Sequence, residues 1–252
     1  MRVELAFVPS APGTSAGSAP GGGDGADTQV VFDVLRMTTT AAALFDAGLH
    51  ALWVVPDPEH ARRAALAHGA LLFGERGGVA LAGFDGGNSP LEVRSERVRG
   101  RDAVLCTTNG SRAVAAAGAA RVLLGAVVNA RAVARRLQAL APARVLLTCA
   151  GTDDAVSIDD VIGAACVIDA LVALVPGLDL DDAAVLALRA LEGPGSLEAL
   201  LRRSAHARLL TQIGFSDDVA FAARRDAVAV VPERGPAPGS AFRGRWSATD
   251  PA

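Results

Sequence analysis

The sequence predicts an α/β fold, a three-layer α/β/α arrangement around a largely parallel or mixed sheet. Three observations predict it. Short apolar runs alternate with helix-period segments along most of the 252 residues. Most of those runs are near-continuous rather than alternating, as expected of strands covered on both faces. With 51% hydrophobic and 20% charged residues, a chain of this size buries roughly 70–75% of its extended surface and needs no disulfide or metal staple.

In chain order, strands are expected at Val3–Val8, Gln29–Phe32, Ala51–Val55, Ala70–Phe73, Ala103–Cys106, Val122–Leu124, Val145–Cys149 and Ala227–Val231. Helices are expected at Thr39–Ala47, Glu59–His68, Ser111–Ala117, Ala130–Leu140, Ile158–Leu174, Asp182–Leu191, Leu197–Arg203 and Asp217–Ala223. The mostly helical stretch Asp160–Ala205 reads as a cap beside the sheet. Residues 10–27 form a Gly/Ser/Pro tract that cannot bury enough apolar area to offset its ordering entropy. Residues 1–231 are therefore read as one domain with a flexible inserted loop at 10–27, and 232–252 as a poorly ordered tail.

Composition excludes several chemistries. All 24 basic residues are arginine, so there is no Schiff-base or Walker-A lysine. Tyrosine is absent. The formal net charge of −3 leaves no broad basic footprint for nucleic acid. Cys106, Cys149 and Cys166 fit neither an even disulfide framework nor a CxxC zinc spacing. No apolar stretch of ~18 residues predicts a membrane span, so a cytoplasmic protein is expected. Homo-oligomerisation stays open.

In open α/β sheets, ligands bind beyond the carboxyl ends of strands, and four such places are rich in polar residues. Asp33 follows a strand directly, with Arg36 and the run Thr38-Thr39-Thr40 after it. An aspartate there suits a hard divalent cation and an arginine suits an anion, although the residues equally suit a turn and helix cap. The Gly-rich segment 74–90 carries Glu75, Arg76, Asp85, Asn88 and Ser89. Mg²⁺ takes one or two carboxylates and keeps several waters, so Asp33, Glu75 and Asp85 would suffice if they converge. After the strand ending at Cys106 come Thr107, Thr108, Asn109, Gly110, Ser111 and Arg112 at a helix start, a donor set suited to phosphate. After Cys149, Ser157 and Asp160 read as a capping box. Cys149 reads more readily as a small buried hydrophobe than as a nucleophile. Of the four histidines, only His206 is a plausible site residue.

These stretches, in this order, resemble the 2-phosphosulfolactate phosphatase family of coenzyme M biosynthesis. The residues that carry the resemblance are Asp33-Val34-Leu35-Arg36-Met37-Thr38-Thr39-Thr40, Gly74-Glu75-Arg76-Gly77-Gly78 and Gly83-Phe84-Asp85-Gly86-Gly87-Asn88-Ser89-Pro90. Thr107-Thr108-Asn109-Gly110-Ser111-Arg112-Ala113, Cys149-Ala150-Gly151 and Ser157-Ile158-Asp159-Asp160 complete it. The resemblance implies a Mg²⁺-dependent phosphatase that hydrolyses 2-phospho-3-sulfolactate, or a similar 2-hydroxy-acid phosphate, on a three-layer α/β/α fold. Asp33, Glu75 and Asp85 would hold Mg²⁺, and Arg36, Arg76 and Arg112 would face the anionic groups. Thr107, Thr108, Asn109 and the backbone at Gly110 would cradle the phosphate. The expected partner is thus a small polyanionic phosphate ester, with attack by metal-activated water favoured over an aspartyl-phosphate. The rival class is a non-catalytic binding protein for a small polyanion on the same fold.

Overall fold

The computed structural model describes residues 1–9, 26–192, 195–234 and 245–249. The strands are β1 (Arg2–Ala6), β2 (Thr28–Phe32), β3 (Ala51–Val55), β4 (Leu71–Arg76), β5 (Val79–Ala80), β6 (Asp102–Cys106), β7 (Arg121–Gly125), β8 (Arg144–Cys149), β9 (Asp179–Leu180), β10 (Val231–Arg234) and β11 (Ser247–Thr249). The helices are α1 (Met37–Asp46), α2 (Pro58–His68), α3 (Ser95–Val98), α4 (Asn109–Ala116), α5 (Ala130–Leu140), α6 (Ile158–Leu174), α7 (Asp182–Arg189), α8 (Leu197–Leu201), α9 (Ala205–Gln212) and α10 (Ser216–Ala222).

The strands form two mixed sheets, ordered β11-β10-β7-β2-β8-β1-β9 and β3-β6-β4-β5. In the larger sheet the pairs among β7, β2, β8, β1 and β9 are parallel, and β10 runs against them, pairing antiparallel with both β7 and β11. In the smaller sheet β6 pairs in parallel with β3 and β4, and β5 returns antiparallel on β4.

The near-continuous apolar runs have the cause the sequence suggested, because side chains alternate across a strand. In β2, Val30 and Phe32 enter one core while Val31 enters another. The first core lies between the larger sheet and the helices α5 to α10. The second lies between the two sheets and contains Met37, Ala41 and Leu44 of α1 with Ala113 and Val114 of α4. The larger sheet is thus the middle of an α/β/α sandwich. In β6, Ala103 and Leu105 face that second core, and Val104 and Cys106 face a third core covered by α2. No helix among the described residues is long and apolar enough to cross a membrane.

Three expectations need correction. The boundary drawn at residue 231 cuts a strand, since β10 spans Val231–Arg234 rather than Ala227–Val231. Glu233 anchors it through ion pairs with Arg121 and Arg136. The segment read as a disordered tail also contributes β11 and the fully buried Trp246, whose backbone exchanges hydrogen bonds with Leu52 of β3 and so joins the two sheets. Finally, Ser157 precedes α6 without capping it, and its hydroxyl donates to Asp159 Oδ1 at 2.6 Å. The inserted loop expected at 10–27 lies, from 10 to 25, outside the described residues.

Candidate active site

The carboxyl ends of β2, β4, β6 and β8 meet α9 around a cavity of about 230 Å³. Asp33, Arg36, Glu75, Thr108 and Asn109 line it, as the sequence anticipated. Gly77, Gly78, Asn88, Thr152, Asp153 and His206 also line it.

Asp33 leaves β2 into a tight turn held by the threonine run. Thr38 donates from its hydroxyl to the Asp33 carbonyl at 2.9 Å and accepts from the Asp33 N–H at 3.2 Å. Thr39 donates to the Val34 carbonyl at 2.7 Å and Thr40 to the Asn88 carbonyl at 2.9 Å. All three threonines are buried, so they shape the loop rather than cap α1. The Asp33 carboxylate lies against the N-terminal turn of α4, where negative charge is favoured. Only glycine fits there. A Cβ on Gly110 would fall 2.3 Å from Asp33 Oδ2 and 2.5 Å from Met37 Cε.

Glu75, near the end of β4, bridges the smaller sheet to α4. Its Oε1 accepts from the Thr108 N–H at 3.0 Å and hydroxyl at 3.1 Å, and its Oε2 accepts from the Gly78 N–H at 2.9 Å. Gly77 and Gly78 form the two-residue turn of the β4–β5 hairpin with φ of 59° and 83°, the positive pair a type I′ turn requires. The Gly-Gly dipeptide therefore delivers an N–H to the carboxylate three residues earlier.

Behind Asp33 lie two further carboxylates that sequence reasoning took for helix caps. Asp160 accepts from the Val34 N–H at 2.8 Å and the Gly151 N–H at 2.9 Å, tying the β2 and β8 loops together. Asp159 accepts from the Leu35 N–H at 3.2 Å. Both are buried. Burial pushes the Asp33 carboxyl up from 3.8 to about 6; the Asp159 and Glu75 charges add to the rise and His206 opposes it. Asp160 is raised well above its ordinary value, first by burial and then by Asp159 and Asp33. A signal for these clamps does exist, since Asp-Asp in the first turn of an apolar helix is surplus to a single cap.

The arginines behave differently from expectation. Arg36 reaches the cavity, but its Nη1 pairs with Asp218 at 2.6 Å, its Nη2 donates to the Gly78 carbonyl at 2.6 Å, and it lies 4.4 Å over the Phe215 ring. Arg76 turns away to the carbonyls of Glu75 and Pro56 and to Cys106 Sγ. Arg112 is exposed and folds back onto the Thr108 carbonyl and Asn109 Oδ1. Neither of these two lines the cavity. Thr107 is also behind it, its Oγ1 accepting from the Ser111 N–H.

The expected triad of carboxylates does not form. Asp85 is exposed and outside the cavity, with Oδ2 accepting from the Leu72 N–H at 2.8 Å and Oδ1 3.7 Å from Arg97. The loop after β5 brings residues 85 and 86 back alongside β4, which turns this side chain away from Asp33. No group of three His, Cys, Asp or Glu side chains suited to a metal occurs among the described residues. Cys149 is fully buried and burial, with Asp160 and Asp159 nearby, pushes its thiol well above the ordinary value, which disqualifies it as a nucleophile.

A family model described as 2-phosphosulpholactate phosphatase matches residues 18–235. The chain belongs to that family. A probable 2-phosphosulfolactate phosphatase of Deinococcus radiodurans is 42% identical over 213 residues, covering 82% of this chain and 87% of the relative. One of Thermus thermophilus is 40% identical over 209 residues, covering 82% and 87%. A third, of Carboxydothermus hydrogenoformans, is 39% identical over 206 residues, covering 81% and 84%. Family membership makes this chain an enzyme of the phosphoric monoester hydrolase class, and the cavity is its candidate active site.

Proposed function

We propose that the protein is a Mg²⁺-dependent phosphatase that hydrolyses 2-phospho-3-sulfolactate, or a similar 2-hydroxy-acid phosphate, to the hydroxy acid and phosphate. The observation that carries the cation is a charge imbalance. Asp33, Glu75 and Asp153 line the cavity, and Asp159 and Asp160 stand behind it. Among the described residues, Arg36 is the only arginine in the lining, it is neutralised by Asp218, and His206 is the one imidazole there. An ester bearing phosphate, carboxylate and sulfonate would be repelled from such a cavity unless a cation joined it.

Asp33 and Glu75 are the residues that would hold the cation, directly or through water, as Mg²⁺ needs few protein carboxylates. Asp33 Oδ2 accepts no hydrogen bond from the protein among the described residues, so that oxygen is free for it. When bound, the ion supplies a Lewis acid for the phosphoryl oxygens. The chain's own residues do the rest. The backbone N–H groups at the start of α4, with the Asn109 amide, offer donors and a positive dipole end to the phosphate, since the Thr108 N–H and hydroxyl are taken by Glu75. Glu75 orients that turn by holding the Thr108 N–H and hydroxyl. His206 can give a proton to the leaving hydroxy-acid oxygen. The nucleophile is water rather than a side chain, and Asp33, lacking a second aspartate two residues on, is left as a ligand.

The test is phosphate release from 2-phospho-3-sulfolactate and related hydroxy-acid phosphates. Turnover that needs Mg²⁺ and stops with EDTA supports the proposal. Phosphate binding without turnover on any ester, at any Mg²⁺ concentration, refutes it.

A further inference from the structure

One buried polar group at this cavity is left without a partner by the protein. The side chain of Asn88 is 4% exposed and lines the cavity beside Asp33 and Glu75. Its Oδ1 is buried and has no hydrogen-bond partner among the described residues. Buried carbonyl oxygens are nearly always satisfied, and an exception lining a cavity calls for an explanation, a bound water or ion among them.

The orphaned oxygen is not the product of a loose loop. The Asn88 carbonyl accepts from the Thr40 hydroxyl at 2.9 Å. The next residue, Ser89, donates from its hydroxyl to Asp218 Oδ1 at 2.6 Å, and Asp218 is itself paired with Arg36. Two buried anchors therefore flank Asn88 and fix where its carboxamide stands. The same two anchors, Thr40 and Asp218, lie on α1 and α10, so two separate helices fix the placement.

What the oxygen awaits follows from its neighbours. The cavity it shares is lined by two acidic acceptors, Asp33 and Glu75. A carboxylate, a sulfonate and the dianionic form of a phosphate ester carry no proton to give to an amide oxygen. A hard divalent cation is the ligand class that accepts carboxylate and amide oxygens together. We propose that Asn88 Oδ1 is a third protein ligand, with Asp33 and Glu75, of the divalent cation. This rests on the cation site proposed above, and it gives Asn88 the place that the sequence had offered to Asp85.

The test is Mn²⁺ binding to the metal-stripped full-length protein without substrate, read by titration calorimetry and by the Mn²⁺ electron spin resonance signal. Asn88→Ala should weaken Mn²⁺ binding by fivefold or more, Asn88→Asp should match or exceed the wild type, and Asp85→Asn should match it. Recovery with aspartate is something a purely structural role for the amide would not produce. Asn88→Ala weakening Mn²⁺ binding by less than fivefold overturns the proposal. So does Asn88→Ala leaving Mn²⁺ affinity alone while weakening inorganic phosphate binding, which would make the amide an anion donor instead. If the wild type binds no Mn²⁺, the cation site itself falls and Asn88 with it, a result distinct from failure of the variant alone.

Discussion

Asp33→Asn should make the metal-free protein more stable while removing its activity. In the folded state burial raises the Asp33 carboxyl from 3.8 to about 6. At about 1.4 kcal/mol per pH unit, holding the ionised form in place costs up to about 3 kcal/mol. The sign follows from proton counts. The folded protein binds this proton more tightly than the unfolded chain, so the cost is fully present above pH 6. It falls as pH drops from 6 towards 4 and vanishes once both states are protonated. An asparagine keeps the shape, keeps an oxygen for the Met37 N–H that Asp33 Oδ1 now accepts at 3.4 Å, and carries no charge. Relief of Asp33 also relieves Asp160, which its charge pushes upward. For a chain of this length the gain amounts to a rise in Tm of about 6–12 °C. The assay is thermal unfolding in EDTA at pH 8 and at pH 4.5. The variant should melt higher at pH 8, and by only about a third as much at pH 4.5, where the unfolded carboxyl is still largely ionised. Saturating Mg²⁺ should raise the wild type and leave the variant unmoved. A variant that melts at or below the wild type at pH 8 would refute the claim that this carboxylate is held at a cost.

Other substitutions probe the geometry around it. Gly110→Ala puts a methyl group 2.3 Å from Asp33 Oδ2, so kcat/KM for phosphate release should fall by about tenfold or more, with about 1–3 kcal/mol lost in denaturant unfolding. Asp85→Asn removes only an exposed pair with Arg97 at 3.7 Å; phosphate release should stay within about threefold of wild type and stability within about 1 kcal/mol. Asp218→Ala strands the buried Arg36 guanidinium and should cost about 3–5 kcal/mol in urea unfolding, and a loss under 1 kcal/mol would show that Arg36 is solvated some other way.

Much of this site was legible in the sequence because strand ends announce themselves. Asp33, Glu75 and Thr108 each stand within two residues of the end of an apolar run, and the parallel topology carries those ends to one edge. The failures share a physical cause. Asp85 sits in the same Gly-rich segment as Glu75, but whether a carboxylate ten residues on faces inward depends on how the loop packs back on β4, which no local pattern encodes. Arg76 and Arg112 are adjacent to site residues along the chain, yet backbone carbonyls nearby capture both. Asn88 and His206 stand out as candidates in the sequence, but only tertiary packing brings both into the cavity lining. Asp159 and Asp160 looked like caps because a capping reading needs only neighbours, whereas their acceptors' donors, Leu35, Val34 and Gly151, come from two other loops. The tail failed for a similar reason: its composition reads as disorder, but Trp246 supplies a large apolar side chain to the core between the sheets.

Soaking crystals of the protein in Mn²⁺ and computing an anomalous difference map tests the central claim most directly. The account predicts one strong peak in the cavity, within bonding distance of the Asp33 and Glu75 carboxylates or of waters they hold. A map without a peak there, or with the ion at Asp85, would contradict it.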